Sequence, residues 1–259
     1  CDLVETQNGD WYAVHLCGRA LENRNPIDAP RFAGARRYTL GRETCIQKMK
    51  WTNDDWLVLA NGTTLPDLET EVPDELADKA QAEQKNQQKQ HDQQEFGDCI
   101  FDDFDDPSGL SVVYQTLRQP LTPGYWSLTE RPGYLRLRGQ EGLSSKFNQS
   151  PIARRWEEFC FETATCVEFE PEVFKQMAGL ILMYDQDNYF YLHVTFDEDE
   201  GKCVTLLTAE NKKYEYPAGF VPIESGKPVY LKAVVDHDKA QFFYAVGDQN
   251  YKAIGPVLD

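Results

Sequence analysis

The chain has 259 residues, with 26 Lys and Arg against 43 Asp and Glu, so its formal net charge is −17. This acidic surplus disfavours nucleic acid and anionic membrane surfaces as partners, because both are themselves negatively charged. No apolar run approaches the roughly 18 residues that a membrane-spanning helix needs, and the length suits one large domain or two ordinary ones.

Residues 1–69 are predicted to form strands joined by tight turns. Asn8-Gly9 separates two strand patterns, which is a strong hairpin signal. A similar hairpin pattern returns over residues 45–60, and the strand after each turn begins at a tryptophan, Trp11 and Trp56. The two tryptophans are 45 residues apart. A hairpin repeated at about this period is typical of successive β-propeller blades.

The next segment, residues 70–96, is rich in Gln and poor in apolar residues, which predicts a linker. Residues 97–259 return to short runs with period-two alternation, separated by polar turns. Many short antiparallel strands of this kind predict a β-sandwich or jelly roll.

The seven cysteines are odd in number and widely spaced, without a C-x-x-C pair, which argues against a disulfide framework or a zinc site. Cys160 and Cys166 lie in one strand pattern about 20 Å apart, too far to bridge. We interpret the cysteines as buried, reduced thiols. This interpretation favours a reducing compartment, and we expect a cytoplasmic protein.

Common catalytic motifs, including G-x-S-x-G, H-E-x-x-H and the P-loop, are absent from the sequence. His193 alternates within a strand pattern and is interpreted as structural. Carboxylates cluster in predicted turns. Solvated turns are the favoured interpretation of these clusters, and the alternatives are a structural Ca²⁺ site and general acid–base catalysis. The clusters are Asp102-Asp103, Asp105-Asp106, Asp185 with Asp187, and residues 197–200.

Six arginines fall between positions 19 and 42. We expect a solvated loop with local ion pairs, and the alternative is that one or two of these arginines line a pocket. They are Arg19, Arg24, Arg31, Arg36, Arg37 and Arg42.

Several long segments carry a family resemblance, including Gly41-Arg42-Glu43-Thr44 and Glu130-Arg131-Pro132-Gly133. In these segments the chain resembles the β-xylosidases of glycoside hydrolase family 43, over almost its whole length except the linker. The matching stretches are residues 2–12, 14–19, 40–44, 115–118, 127–133, 135–139, 176–180 and 254–259.

The resemblance implies an all-β protein: the edge of a five-bladed β-propeller, followed by a concanavalin-like antiparallel β-sandwich. It divides the chain into the last propeller blades (1–69), the linker (70–96) and the sandwich (97–259). It also implies inverting, exo-acting release of xylose from β-1,4-xylo-oligosaccharides. We expect that no cofactor is required, with a structural or activating Ca²⁺ as an option. We expect the protein to form a homo-oligomer.

In this family an Asp serves as general base, a Glu as general acid and a second Asp tunes the acid. The resemblance places all three upstream of Cys1, so no catalytic residue and no metal ligand is assigned to this chain. An active-site His is likewise expected just before Cys1, and family members usually continue for some tens of residues beyond the motif at 254–259.

Arg42 is the one pocket residue that the resemblance carries over, as the arginine that reaches into the glycone pocket. A guanidinium suits this role because it offers a rigid fork of donors to sugar hydroxyls. If residues 42–44 are extended, Arg42 and Thr44 share one face while Glu43 points away. The alternative is a salt-bridged Arg42 with no part in substrate binding.

Three alternatives to a β-xylosidase stay open. One is an α-L-arabinofuranosidase of the same family, and another is a purely structural or oligomerisation domain. The third is a non-catalytic carbohydrate-binding sandwich with aromatic sugar platforms, although core packing is the favoured interpretation for most of these side chains. The candidate platforms are Trp126, Trp156, Tyr184, Tyr189 and Tyr191.

Overall fold

The regular secondary structure in the described part of this protein consists of β-strands. The computed structural model describes residues 1–21, 36–73, 99–120, 122 and 124–259. These residues form two compact units, Cys1–Asp102 and Asp103–Asp259. No helix occurs in these ranges, and therefore none that could cross a membrane. The all-β prediction is confirmed.

The first unit contains a four-stranded antiparallel sheet in which each strand pairs with the next along the chain. Its strands are β1 (Asp2–Glu5), β2 (Trp11–Cys17), β3 (Glu43–Trp51) and β4 (Leu57–Leu59). The predicted Asn8-Gly9 turn joins β1 to β2, and Gly9 adopts the left-handed φ of 84° that glycine accommodates without strain. The Thr6 N–H donates to the carbonyl of Asp10 at 2.8 Å and closes this turn.

Both predicted hairpins lie in this single sheet, because β2 pairs with β3 over its whole length. The interpretation of the two hairpins as successive propeller blades is therefore wrong. The similarity between residues 1–16 and 45–60 is a repeat of hairpins within one sheet, and the four strands have the up-and-down order of one blade.

The second unit begins with two small sheets, β5 paired with β8 and β6 paired with β7. Their strands are β5 (Tyr114–Gln115), β6 (Trp126–Ser127), β7 (Arg136–Leu137) and β8 (Ala153–Arg154). Two larger antiparallel sheets follow. One has the order β10-β11-β12-β13 with β14 also pairing β12, and the other has the order β17-β16-β15-β9.

The strands of the two larger sheets are long and pair in continuous registers. They are β9 (Cys160–Val167), β10 (Ala178–Asp185), β11 (Asn188–Asp197), β12 (Gly201–Glu210), β13 (Lys213–Glu215), β14 (Phe220–Pro222), β15 (Val229–Asp236), β16 (Lys239–Val246) and β17 (Lys252–Leu258).

The core of the second unit is built from alternate side chains of these two sheets, as period-two patterning requires. Leu192, Val204 and Leu206 from one sheet and Leu231 and Phe242 from the other are fully buried in one cluster. The predicted antiparallel β-sandwich is confirmed.

The interpretation of the cysteines as buried, reduced thiols is wrong for most of them. Cys17 and Cys45 form a disulfide with a Cα–Cα distance of 6.1 Å. Their strands β2 and β3 pair so that His15 faces Cys45 and Cys17 faces Glu43, which places both sulfurs on one face of the sheet. The disulfide weakens the thiol argument for a reducing compartment, and the cytoplasmic location stays a prediction.

Among the other cysteines, Cys203 is buried and four are exposed, namely Cys1, Cys99, Cys160 and Cys166. In β9 the inward positions are taken by Phe161 and Val167, which pack against the core. Cys160 and Cys166 therefore lie together on the outer face of β9, as their even spacing predicts, and are not bridged.

The division into residues 1–69, 70–96 and 97–259 stays a prediction. Most of the proposed linker, residues 74–96, lies outside the described part of the chain.

Candidate functional site

Arg42 lies at the entry to β3, directly after a tight turn. The Gly41 N–H donates to the carbonyl of Tyr38 at 3.0 Å, and Gly41 has a φ of 72°, where a side chain would be strained. Leu40 is buried and anchors the turn in the sheet unit. The turn therefore fixes where the Arg42 backbone enters the sheet.

The side chains that follow Arg42 alternate as predicted. Arg42, Thr44 and Ile46 are exposed, whereas Glu43 is partly covered and Gln47 is buried. In an extended strand this alternation places Arg42 and Thr44 on one face and Glu43 on the other. Arg42 thus stands on the accessible face of the sheet, where a guanidinium can meet a ligand.

Glu43 is held by Arg19, the residue that follows β2 and Gly18. Arg19 donates from Nε and from an Nη to the two carboxylate oxygens of Glu43, at 2.9 to 3.2 Å. This exposed ion pair confirms the expectation of local ion pairs for one of the six arginines. Arg24 and Arg31 lie outside the described residues.

The motif at 127–139 uses its charges in ion pairs within the second unit. Arg131 forms a two-pronged pair with Glu168 at 2.7 and 3.1 Å, and its guanidinium lies 3.5 Å from the centre of the Tyr134 ring. The hydroxyl of Tyr134 donates to the same carboxylate at 2.8 Å. Arg131 and Tyr134 hold the pKa of Glu168 below its ordinary value by stabilising the carboxylate.

Two further arginines of this motif form ion pairs with Glu130. Arg136 and Arg138 donate to opposite oxygens of the Glu130 carboxylate at 3.0 and 2.8 Å and lower its pKa. These ion pairs hold the loops of the motif together. We therefore assign the motif a structural role.

The carboxylate clusters accept hydrogen bonds from nearby backbone. Asp106 accepts from the N–H of Ser108 at 2.8 Å, Asp185 from that of Asp187 at 2.8 Å, and Asp197 from that of Asp199 at 3.0 Å. This side-chain-to-backbone pattern two residues along the chain is how Asp builds turns. It favours the turn interpretation over a Ca²⁺ site.

Core packing explains three of the five candidate sugar platforms. Tyr189 and Tyr191 are buried in a cluster on the outer face of β11 and β12, and Trp156 packs edge-on against Phe161 at 5.0 Å beside the main core. Trp126 lies in β6 and is partly covered. Tyr184 is the exposed exception, with 83% of its surface accessible.

His193 is fully buried in β11, in agreement with its structural interpretation. Its ring stacks on Tyr191 at 4.4 Å, and its Nδ1 lies 3.0 Å from the carbonyl oxygen of Tyr191. Burial disfavours the charged imidazolium and lowers the pKa of His193 to about 4.

One cluster of ligating side chains was missed by sequence reasoning. Cys160, Asp236 and His237 bring a thiol, a carboxylate and an imidazole within 4.8 Å of one another. Cys160 is 76 residues from Asp236, so no local motif signals the cluster. The cluster forms because β9 pairs with β15. The spacing of residues in the sequence does not determine which strands pair.

Two family models match the chain. The model described as the β-xylosidase C-terminal concanavalin A-like domain matches residues 101–259, and that of glycosyl hydrolases family 43 matches residues 1–57.

Individual relatives match nearly the whole chain. A β-xylosidase of Bacillus subtilis (strain 168) is 35% identical over 99% of this chain and 45% of its own length. A xylosidase/arabinosidase 43B of Humicola insolens is 33% identical over 100% of this chain and 43% of its own length.

Among solved structures, the xylan β-1,4-xylosidase from Bacillus halodurans C-125 superposes with a TM-score of 0.78 at 38% identity, covering 99% of this chain and 44% of that protein. The chain thus spans slightly less than half the length of these relatives. The two family matches show that this chain belongs to glycosyl hydrolases family 43 and carries the concanavalin A-like C-terminal domain of the β-xylosidases.

Proposed function

We propose that the full-length protein containing this chain is an exo-acting β-xylosidase that releases xylose from β-1,4-xylo-oligosaccharides with inversion. The observation that carries this proposal is similarity along the whole chain to proteins named β-xylosidase, at 35% identity for the Bacillus subtilis protein and 38% for the Bacillus halodurans structure. The sheet of the first unit and the sandwich of the second are both included in these matches.

In this proposal the acid and base are carboxyl groups outside the chain. An inverting glycosidase holds them about 6.5–9.5 Å apart, so that a water fits between the base and the sugar. The base removes a proton from this water as it attacks the anomeric carbon, and the acid protonates the leaving oxygen. Neither role is assigned to a residue between Cys1 and Asp259.

Arg42 is our candidate for a substrate contact within the chain. Its position on the accessible face beside Thr44 is compatible with hydrogen bonds to the hydroxyls of the terminal xylose. The planar guanidinium can hold two oxygens at once. It would orient the sugar for attack without exchanging a proton.

A second candidate function is α-L-arabinofuranoside hydrolysis. This candidate is supported by the similarity to the Humicola insolens protein, which is named a xylosidase/arabinosidase. A third, non-catalytic sugar binding by the sandwich, is supported only by the exposed Tyr184, because the other described aromatic candidates are at least half-buried.

Further features of the proposal concern partners and location. We propose a xylo-oligosaccharide substrate, a homo-oligomeric assembly and a cytoplasmic location, with no cofactor consumed by the hydrolysis. A structural Ca²⁺ is the weaker option, because the carboxylates that suggested it are acceptors within their own turns.

The test compares the full-length protein on p-nitrophenyl β-D-xyloside and p-nitrophenyl α-L-arabinofuranoside. The proposal predicts a higher kcat/KM on the xyloside. A preference for the arabinofuranoside would replace it with the second candidate. Hydrolysis of neither, with retention on an immobilised xylan column, would favour a carbohydrate-binding protein.

A further inference from the structure

The outer edge of the sandwich brings three unlike metal-ligating groups together. Cys160 opens β9 and Asp236 closes β15, and these two residues are direct partners in the antiparallel register. His237 follows as the first residue of the turn into β16. The Cys160 Sγ lies 3.3 Å from an Asp236 carboxylate oxygen and 3.4 Å from the His237 Nδ1, and that Nδ1 lies 2.6 Å from the same oxygen.

The backbone and ring of His237 are held in place by a neighbour. Its N–H donates to the carbonyl of Phe159 at 2.8 Å, and its ring lies nearly parallel to the Phe159 ring, at 5°. The φ of His237 is 57°, as expected for the first residue of the tight turn that joins β15 to β16.

The distances between the three ligand atoms suit a metal ion with tetrahedral coordination. With bonds of about 2.3 Å to sulfur and about 2.0–2.2 Å to nitrogen and oxygen, neighbouring ligand atoms of zinc lie roughly 3.3–3.6 Å apart. Both contacts of the Cys160 sulfur already fall in or close to this range. The contact between Asp236 and His237 would open by about 0.8 Å as a cation replaced the hydrogen between them.

We propose that Cys160, Asp236 and His237 form a Zn²⁺ site that joins the start of β9 to the β15–β16 hairpin, with water as the fourth ligand. Zinc fits because a thiolate and an imidazole are soft or borderline ligands, whereas Ca²⁺ and Mg²⁺ prefer oxygen alone. A thiolate and a carboxylate together neutralise the ion.

The proton balance of binding follows from the groups present. The Cys160 thiol loses its proton to solvent as its sulfur bonds the metal. A His237 imidazole that carries its proton on Nε2 offers the Nδ1 lone pair to the metal. Zinc does not change oxidation state, so no oxidant or reductant takes part. Cys160 and Asp236 are exposed, which gives the ion access from solvent.

Cobalt titration tests the site directly in the reduced, metal-free full-length protein. We expect one equivalent of Co²⁺ to produce a thiolate-to-cobalt charge-transfer band, which Zn²⁺ then removes by displacing the cobalt. The variant Cys160→Ser should lose the band. Cys166→Ser is the matched control, since it removes another exposed thiol of the same strand and should keep the band.

The variant His237→Asn distinguishes a three-ligand zinc site from metal binding by the Cys160 thiol alone. Asn is one of the residues that tolerate a left-handed φ, so the turn should persist. Losing the imidazole ligand should weaken zinc binding at least 10-fold, given that even loss of an outer-shell partner costs about 10- to 100-fold. Unchanged affinity in His237→Asn would overturn the proposal.

Alkylation provides a second readout that does not depend on spectroscopy. Zn²⁺ should protect Cys160, and leave Cys166 open, when the protein is treated with iodoacetamide and mapped by mass spectrometry. Equal modification of Cys160 with and without zinc, or a cobalt band that survives in Cys160→Ser, would show that the three side chains are joined by hydrogen bonds alone.

Discussion

Arg42 is the residue that we propose as a substrate contact within this chain. In the full-length protein, Arg42→Ala should remove one or two charge-assisted hydrogen bonds to the terminal sugar, each worth about 1.5–3 kcal/mol. At about 1.4 kcal/mol per factor of ten, kcat/KM should fall about 10- to 100-fold per bond. Steady-state kinetics on p-nitrophenyl β-D-xyloside measure this change.

Two further variants make the Arg42 result specific. Arg42→Lys should recover little activity, because an ammonium cannot reproduce the planar fork of donors. Arg36→Ala removes another exposed arginine of the same region and should leave kcat/KM within about twofold. A folded Arg42→Ala protein with unchanged kinetics would exclude Arg42 from the site.

His193 should make the sandwich sensitive to mild acid. Its pKa is about 4 when folded, against an ordinary 6.5, so the unfolded chain binds this proton first as the pH falls. The stability from His193 is complete above pH 7 and is lost progressively between pH 6.5 and pH 4. Between pH 7 and pH 5 this predicts a loss of about 2 kcal/mol in the free energy of unfolding.

Urea denaturation at pH 7, 6 and 5 measures the His193 effect. Carboxylates with a lowered pKa, such as Glu130 and Glu168, add a smaller loss near pH 5 that both proteins share. The position 193 side chain of His193→Gln cannot titrate, so its free energy of unfolding should fall much less than that of the wild-type protein from pH 7 to pH 5. An equal slope in the wild-type protein and in His193→Gln would assign the pH dependence to other groups.

Gly179 shows how one position controls the pairing of two strands. It faces His193 across β10 and β11, and a methyl group there would lie 2.1 Å from the Leu192 carbonyl oxygen and 2.6 Å from the His193 Cα. Backbone cannot move aside cheaply, so Gly179→Ala should destabilise the sandwich by about 1–3 kcal/mol or more. Gly139→Ala, where a methyl group meets no atom within 4 Å, should change little.

Thermal denaturation of the two alanine variants tests this contrast. The expected result is a lower Tm for Gly179→Ala alone. Equal Tm values would mean that β10 and β11 separate enough to accept a side chain. Gly179 lies within the segment 176–180 that carries the family resemblance, and close strand approach gives that resemblance a physical reason.

The Cys17–Cys45 disulfide should stabilise the first unit. It closes a loop of 28 residues, for which restriction of the unfolded chain is worth up to about 3–4 kcal/mol. Adding a reductant should lower the free energy of unfolding of this unit by about 2–4 kcal/mol. The double variant Cys17→Ser with Cys45→Ser should show no such response.

Thiol counting checks the same bond chemically. The 259-residue chain has seven cysteines, five of them free in the structure. Denatured without reductant, it should therefore show five reactive thiols, and seven after reduction. Seven before reduction would contradict the disulfide and would restore the prediction of reduced thiols.

The limits of sequence reasoning lie in pairings between distant strands. Period-two alternation predicted strands such as β2, β3 and β15 well, because their two faces differ in burial, whereas β11 is buried on both faces. Strand order and register join distant residues, and a shift of one residue exchanges the two faces. The placement of both hairpins in one sheet, the Cys17–Cys45 bond and the approach of Cys160 to His237 all depend on register.

Arg42 could be proposed from sequence because a local motif contains it. Its alternation with Glu43 and Thr44 follows from strand geometry alone. Its proposed role in a pocket came only from the family resemblance, since residues 41–44 carry no chemistry of their own that identifies a sugar. The residues that would complete such a site are distant in sequence, so spacing within this chain does not supply them.

At the scale of the whole molecule, the first unit leaves apolar side chains exposed on both faces of its sheet. Val4, Leu16 and Ile46 are exposed on one face and Leu3 and Trp51 on the other. A sheet that is apolar on both faces is typical of a layer packed between others, as propeller blades are. This pattern agrees with the interpretation of the first unit as part of a β-propeller.

The most direct test of this account compares xylobiose hydrolysis by the full-length protein and by the 259-residue chain alone. We predict that the full-length protein releases xylose, with the α-anomer appearing first by proton NMR. The isolated chain should be inactive, because it lacks the acid and base that together contribute several orders of magnitude. Turnover by the isolated chain, or initial release of the β-anomer by the full-length protein, would contradict the account.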